Sequence, residues 1–170
     1  MQKTLLPLFA VVALLLPLTT VDASQAPTAP EQVEQDPVAQ LSPYFFAAAR
    51  QNDSEVLDAF LQAGFPVDLV NNQSYTALMI AAYAGSADAV ESLLNHGANA
   101  CLRDKRGNTA LLGALIKAEV RIARTLYAEQ CEDKPNKAGL ELSEFAAMFG
   151  QSDVLLELQQ HAANAGMQTN

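Results

Sequence analysis

The stretch Tyr75–Leu102, YTALMIAAYAGSADAVESLLNHGANACL, decides the fold. Leu78, Ala81 and Ala82, then Val90, Leu93 and Leu94, recur at helical spacing and put one apolar face on each of two short helices. The small side chains of Ala81 and Ala82 let the paired helices approach closely. Gly85 breaks the first helix from the second. Gly97 follows the second, where a left-handed residue ends a helix at little cost.

Working outward in steps of thirty-three residues finds the same unit again. Thr76-Ala77-Leu78 recurs as Thr109-Ala110-Leu111, and Ala81, Val90, Leu93 and Leu94 align with Ala114, Ala123, Leu126 and Tyr127. In the other direction Phe45 takes the place of Leu78, Ala48-Ala49 that of Ala81-Ala82, and Gly64 that of Gly97. After a one-residue deletion, Phe145-Ala146-Ala147 with Gly150 repeats Ile80-Ala81-Ala82 with Gly85. The period predicts four units, at about 42–70, 71–103, 104–136 and 137–170. One unit cannot bury its faces alone, so units stack and the terminal ones act as caps. The first is expected to begin at Ser42-Pro43, with proline in the first helical turn.

These residues resemble the ankyrin-repeat family. Thr76-Ala77-Leu78 stands where that family's Thr-Pro-Leu-His begins, and Asn95-His96-Gly97-Ala98-Asn99 where its Gly-Ala-Asp-Val-Asn begins. The resemblance implies an all-α ankyrin-repeat solenoid of about four helix–turn–helix units with short hairpin tips, and therefore almost no strand. Two departures matter. Met79 and Leu112 occupy the family's His position, which removes the usual Thr–His hydrogen bond. Gln130-Cys131 replaces the closing Gly-Ala pair, which predicts a less regular turn there.

The chain starts with basic Lys3, an apolar run from Leu5 to Leu18, and Val21-Asp22-Ala23, a small-x-small cleavage pattern. That order reads as a secretory signal at 1–23, cleaved after Ala23. The run is shorter than a membrane span and holds Pro7 and Pro17. The first cysteine, Cys101, is too late to carry a lipid at the cleavage point. The expected location is the periplasm, with no membrane insertion after cleavage. Residues 24–40, rich in Pro, Ala, Gln and Glu, are expected to form a disordered leader before a domain at 41–170.

The net charge of −9 argues against nucleic acid or an anionic membrane as partner. Its distribution is uneven. Arg103 to Lys137 holds eight bases and five acids, a balance of +3. The rest of the mature chain has thirteen acids against one base, Arg50, a balance of −12.

Catalytic chemistry finds no home in this sequence. His96 sits at a helix end, where imidazole commonly meets terminal carbonyls, and His161 lies in the last helix. No histidine–cysteine pair has zinc-site spacing, and no glycine-rich phosphate loop occurs. The expectation is a non-enzyme with no cofactor and no metal. Cys101 and Cys131, in successive inter-repeat turns, would pair in an oxidising compartment; the alternative is two thiols acting as small hydrophobes.

In the ankyrin family, hairpin tips and first helices form a concave binding groove. Carried over by position, that groove takes Val70, Asn72, Gln73 and Tyr75 from one tip, and Arg103, Lys105, Arg106 and Asn108 from the next. The helices add Arg50-Gln51, Tyr83-Ala84, Ile116-Lys117 and Met148-Phe149. Tyr75 and Tyr83 suit the role of binding anchors, and Arg103, Lys105, Arg106 and Lys117 form a basic rim. The expected partner is a protein with an acidic patch, held by a monomer. Small exported bacterial ankyrin proteins that look like this chain include companions of periplasmic catalase and immunity proteins against delivered toxins. The resemblance therefore implies first a module that holds or stabilises a periplasmic partner, such as a catalase or other oxidative-stress enzyme. A toxin inhibitor and a cell-envelope scaffold are the alternatives.

Overall fold

The computed structural model describes residues 36–168, with side chains through residue 164. The expected signal sequence and residues 24–35 of the expected leader lie outside the described residues.

Among the described residues eight helices follow in order: α1 Pro37–Gln51, α2 Ser54–Gln62, α3 Ala77–Ala84, α4 Ala87–Asn95, α5 Ala110–Lys117, α6 Val120–Tyr127, α7 Leu142–Met148 and α8 Ser152–Gln168. Among the described residues there is no strand, only an isolated antiparallel bridge between Val70 and Thr76 at one tip. Helices pair within each unit. The first helices α1, α3, α5 and α7 pack in sequence, and so do the second helices α2, α4, α6 and α8. The chain is an all-α repeat solenoid.

The periodic positions are the core. Phe45, Leu57, Leu78, Leu93 and Leu115 are almost completely buried, as are Ala49, Ala81, Ala82 and Ala114 between them. In the first unit an aromatic cluster does the filling. The Phe45 ring lies 5.7 Å from that of Phe60 and 4.9 Å from that of Phe65. Consecutive units are also keyed by polar side chains. Asn52 Oδ1 accepts from the Ala89 amide at 3.0 Å, satisfying a donor that the first turn of α4 leaves open, and Asn52 Nδ2 donates to Asp88. The buried Ser86 hydroxyl donates to the Arg50 carbonyl, and that of Ser92 to Asp58 at 2.6 Å. His96 Nδ1 lies 3.0 Å from the Ser92 carbonyl, near the end of its own helix.

The first helix corrects the expected start at Ser42-Pro43. It begins at Pro37, with Asp36 as N-cap, its carboxylate accepting from the Val38 amide at 2.9 Å. Residues 37–40 are therefore helical rather than leader. Pro43 falls inside the helix, where it cannot donate to the Ala39 carbonyl. The Ser42 hydroxyl donates to that carbonyl instead, at 3.1 Å. Aligned apolar surface and this substitute bond together carry the helix through the proline.

The left-handed positions repeat as well. Gly64 and Gly97 end α2 and α4 at φ near +85°, and the equivalent residue after α6 is Gln130, at +51°. A non-glycine there costs about 1 kcal/mol. From Gln130 to Glu141 the chain forms no helix before α7, so the third unit closes in a long irregular segment.

Candidate functional site

Three hairpin tips, those that open the second, third and fourth units and are numbered with them, share one device. Asn71 Oδ1 accepts from the amides of Gln73 and Tyr75. Asp104 Oδ1 does the same for Arg106 and Asn108, and Asn136 Oδ1 for Ala138 and Leu140. Each side chain substitutes for backbone in a tight turn. These residues fix where the tip side chains stand, and their spacing of 33 and then 32 residues was available as a sequence signal.

Between the second and third tips and helices α3 and α5 lies an open recess of about 630 Å3. Met79 and Ile80, both buried, lie at its base with Ile116. Tyr75 and Tyr83 line it, along with Arg106 and Asn108 of the tip and Lys117 of α5. Tyr83 is 52% exposed, and the Lys117 ammonium sits 4.9 Å from its ring centroid. Arg50, the one base among the described residues outside the basic segment, reaches the same recess from α1.

Two of the expected rim residues are placed otherwise. Arg103 does not enter the recess. Its guanidinium donates to the carbonyls of Gly107 at 2.9 Å, Lys134 at 2.8 Å and Glu132 at 3.1 Å. A guanidinium presents its donors in a fixed fork, and three loop carbonyls satisfy them behind the tip. There it borders a second, largely apolar recess of about 710 Å3 between the third and fourth units. Lys105 is also turned aside, donating to the Asn72 carbonyl of the neighbouring tip at 2.7 Å. Met148 and Phe149 are exposed on α7 and just past its end, outside the recess lining.

The charge pole now has a physical division. On the outer helices its bases are paired: Arg121 with Asp88 at 3.5 Å, and Arg124 with Glu157. In the recess Arg50, Arg106 and Lys117 form no ion pair among the described residues. The sulfurs of Cys101 and Cys131 are joined, with the Cα atoms 5.2 Å apart. Among the described residues no group of three His, Cys, Asp or Glu side chains could hold a metal ion.

A family description of ankyrin repeats, in three copies, matches residues 45–138, more than half of the chain. This chain belongs to the ankyrin-repeat family. The second and third of its ankyrin repeats are those that frame the recess. Relatives include the potassium channel AKT2/3 of Arabidopsis thaliana, 34% identical over 118 residues, which are 69% of this chain and 15% of the channel. An ankyrin repeat-containing protein of Treponema pallidum (strain Nichols) is 30% identical over 110 residues, 64% of this chain and 37% of that protein. The E3 ubiquitin-protein ligase XBAT32 of Arabidopsis thaliana is 32% identical over 128 residues, 74% of this chain and 25% of the ligase. The chain thus spans 15% to 37% of the length of these relatives. The Treponema pallidum relative is itself named for the ankyrin repeat, a module for contact between proteins.

Proposed function

We propose that this protein is an exported, monomeric, non-catalytic holder that grips an acidic surface of a periplasmic partner in the recess between its second and third tips. The observation that carries the reading is the gathering of Arg50, Arg106 and Lys117, without ion pairs, around an exposed Tyr83 in a chain of net charge −9. A basic recess on an otherwise acidic molecule steers an acidic partner to one place and repels it elsewhere. Tyrosine and arginine are the side chains that most often anchor such contacts. Export follows from the signal pattern at 1–23. Among partners, a catalase or other oxidative-stress enzyme is the class implied by the exported ankyrin proteins that this chain resembles.

The test is a kinetic one. Wild-type protein captures its partner from periplasmic extract, and association of the purified pair is then followed for Arg106→Glu with Lys117→Glu. Association is expected to slow about tenfold and to lose most of its salt dependence. Folding stability should hardly move, because exposed charges contribute on the order of 0–1 kcal/mol each. An unchanged association rate would remove the basic recess from the mechanism.

A further inference from the structure

The recess is open toward its partner, yet the tip that supplies Arg106 and Asn108 is held from behind. Gly107, at the apex, has φ +83°, and a Cβ there would come within 3.1 Å of the Lys137 nitrogen and 3.2 Å of Asn136 Cα. The irregular segment after α6 therefore lies directly against the tip. Two bonds seal the contact: the Lys137 amide donates to the Arg106 carbonyl at 2.8 Å, and Asn136 Nδ2 donates to Asn108 Oδ1 at 3.1 Å. Arg103 spans both partners of this contact, with one carbonyl on the tip and two on the segment. Cys131, at the start of that segment, is bonded to Cys101, two residues before Arg103. Cys101 is exposed and Cys131 half-buried, so a small thiol can reach the bond.

We infer that the thiol state of Cys101 and Cys131 regulates the recess: the bridge holds the segment, the segment holds the tip, and the tip presents Arg106 and Asn108. This rests on the recess being the partner site. Reduction needs a thiol reductant and proceeds by exchange. One reductant thiolate attacks a bridge sulfur, forming a mixed disulfide and releasing the other cysteine as thiolate. A second reductant thiol then frees the remaining cysteine and leaves as oxidised reductant, so two cysteine thiols form for each reductant disulfide. Besides the half-buried Cys131, the irregular segment then keeps only hydrogen bonds and the surface Lys134–Glu132 ion pair, most of them at exposed residues, and such a unit opens locally well before the domain unfolds. A tip that is correctly placed only part of the time binds correspondingly less tightly.

The experiment compares oxidised protein, protein in excess dithiothreitol, and an Arg103→Lys variant with the bridge intact. Arg103→Lys keeps the charge and loses the fork, so it loosens the tip without touching the thiols. Amide exchange is read at Gly107, Asn108 and Lys137, with Ser74 and Tyr75 of the second tip as internal reference. Binding is read with a random glutamate–tyrosine copolymer as the probe. Reduction is expected to speed exchange at the three reporting amides about tenfold and to raise the copolymer Kd several-fold, with Ser74 and Tyr75 unchanged. Arg103→Lys should do the same to a smaller degree. Equal exchange in oxidised and reduced protein would overturn the tether, as would loss of the helical dichroism on reduction with no effect from Arg103→Lys. Faster tip exchange with an unchanged Kd would overturn the link to the recess. A copolymer that binds neither form would instead bring down the acidic-partner reading, while the exchange result still decides the tether.

Discussion

Leu93→Ala is expected to cost about 3–5 kcal/mol of folding stability. Leu93 is fully buried on α4, and α4 packs on α3 within its unit and on α2 and α6 of its neighbours. Truncation removes apolar contact and leaves a cavity that helices on three sides cannot all relax to fill. In a solenoid, stability is the sum of units and their interfaces, so damage to an internal unit weakens the contacts on both sides of it. A domain whose net stability is on the order of 5–15 kcal/mol cannot absorb many such changes. Leu156→Ala is the comparison, since Leu156 is 53% exposed on α8 and should cost less than about 0.5 kcal/mol. Urea unfolding followed by helical dichroism measures both. Equal midpoints for the two variants would contradict the stacked core.

The second large effect is on binding. Tyr83→Ala should raise the partner's dissociation rate about thirtyfold, the equivalent of roughly 2 kcal/mol of affinity, with little change in association rate. Tyr83 offers its ring at the recess beside Met79, Ile80 and Ile116, and Lys117 lies over that ring. Removing it takes away both a large contact area and the surface that positions a cation. Folding should be spared, because the side chain is 52% exposed. Surface plasmon resonance separates the two rates. A slower association with unchanged dissociation would reassign Tyr83 from holding to steering.

The core was legible in the sequence because a helical period dictates which side chains face inward. Leu78, Ala81, Leu93 and their equivalents needed no further information: most are buried, and Phe60 and Leu111 are half-buried against the same core. The start of α1 was less visible. Asp36-Pro37 is itself a helix-start pattern, but the Pro- and Gln-rich composition around it argued for a leader. Composition was the poorer guide, since Ser42 replaces the bond that Pro43 removes.

At the recess, period fixes where a residue's Cα stands but not where a long side chain turns. Tyr75, Tyr83, Arg106, Asn108 and Lys117 line it as their register suggests. Arg103 and Lys105 share that register and leave it, because carbonyls from other turns offer their donors partners. Those carbonyls lie 29 to 33 residues away in sequence, and no local pattern announces them. Arg50 joins the recess from a different unit, at a groove position that the family register also assigns. A neutral control for binding must stand clear of packed groups, which Asp58 does not, since its carboxylate accepts from the buried Ser92 hydroxyl. Glu91, exposed on α4, serves instead.

The partner is expected to sit in the recess and not on the outer helices. Site-specific photo-crosslinking in the periplasm tests it, with a benzophenone-bearing residue placed at position 83 in one protein and at position 91 in another. One discrete crosslinked partner is expected from position 83 and none from position 91. A partner captured from position 91 and absent from position 83 would contradict it, and would move the binding surface to the outer helices.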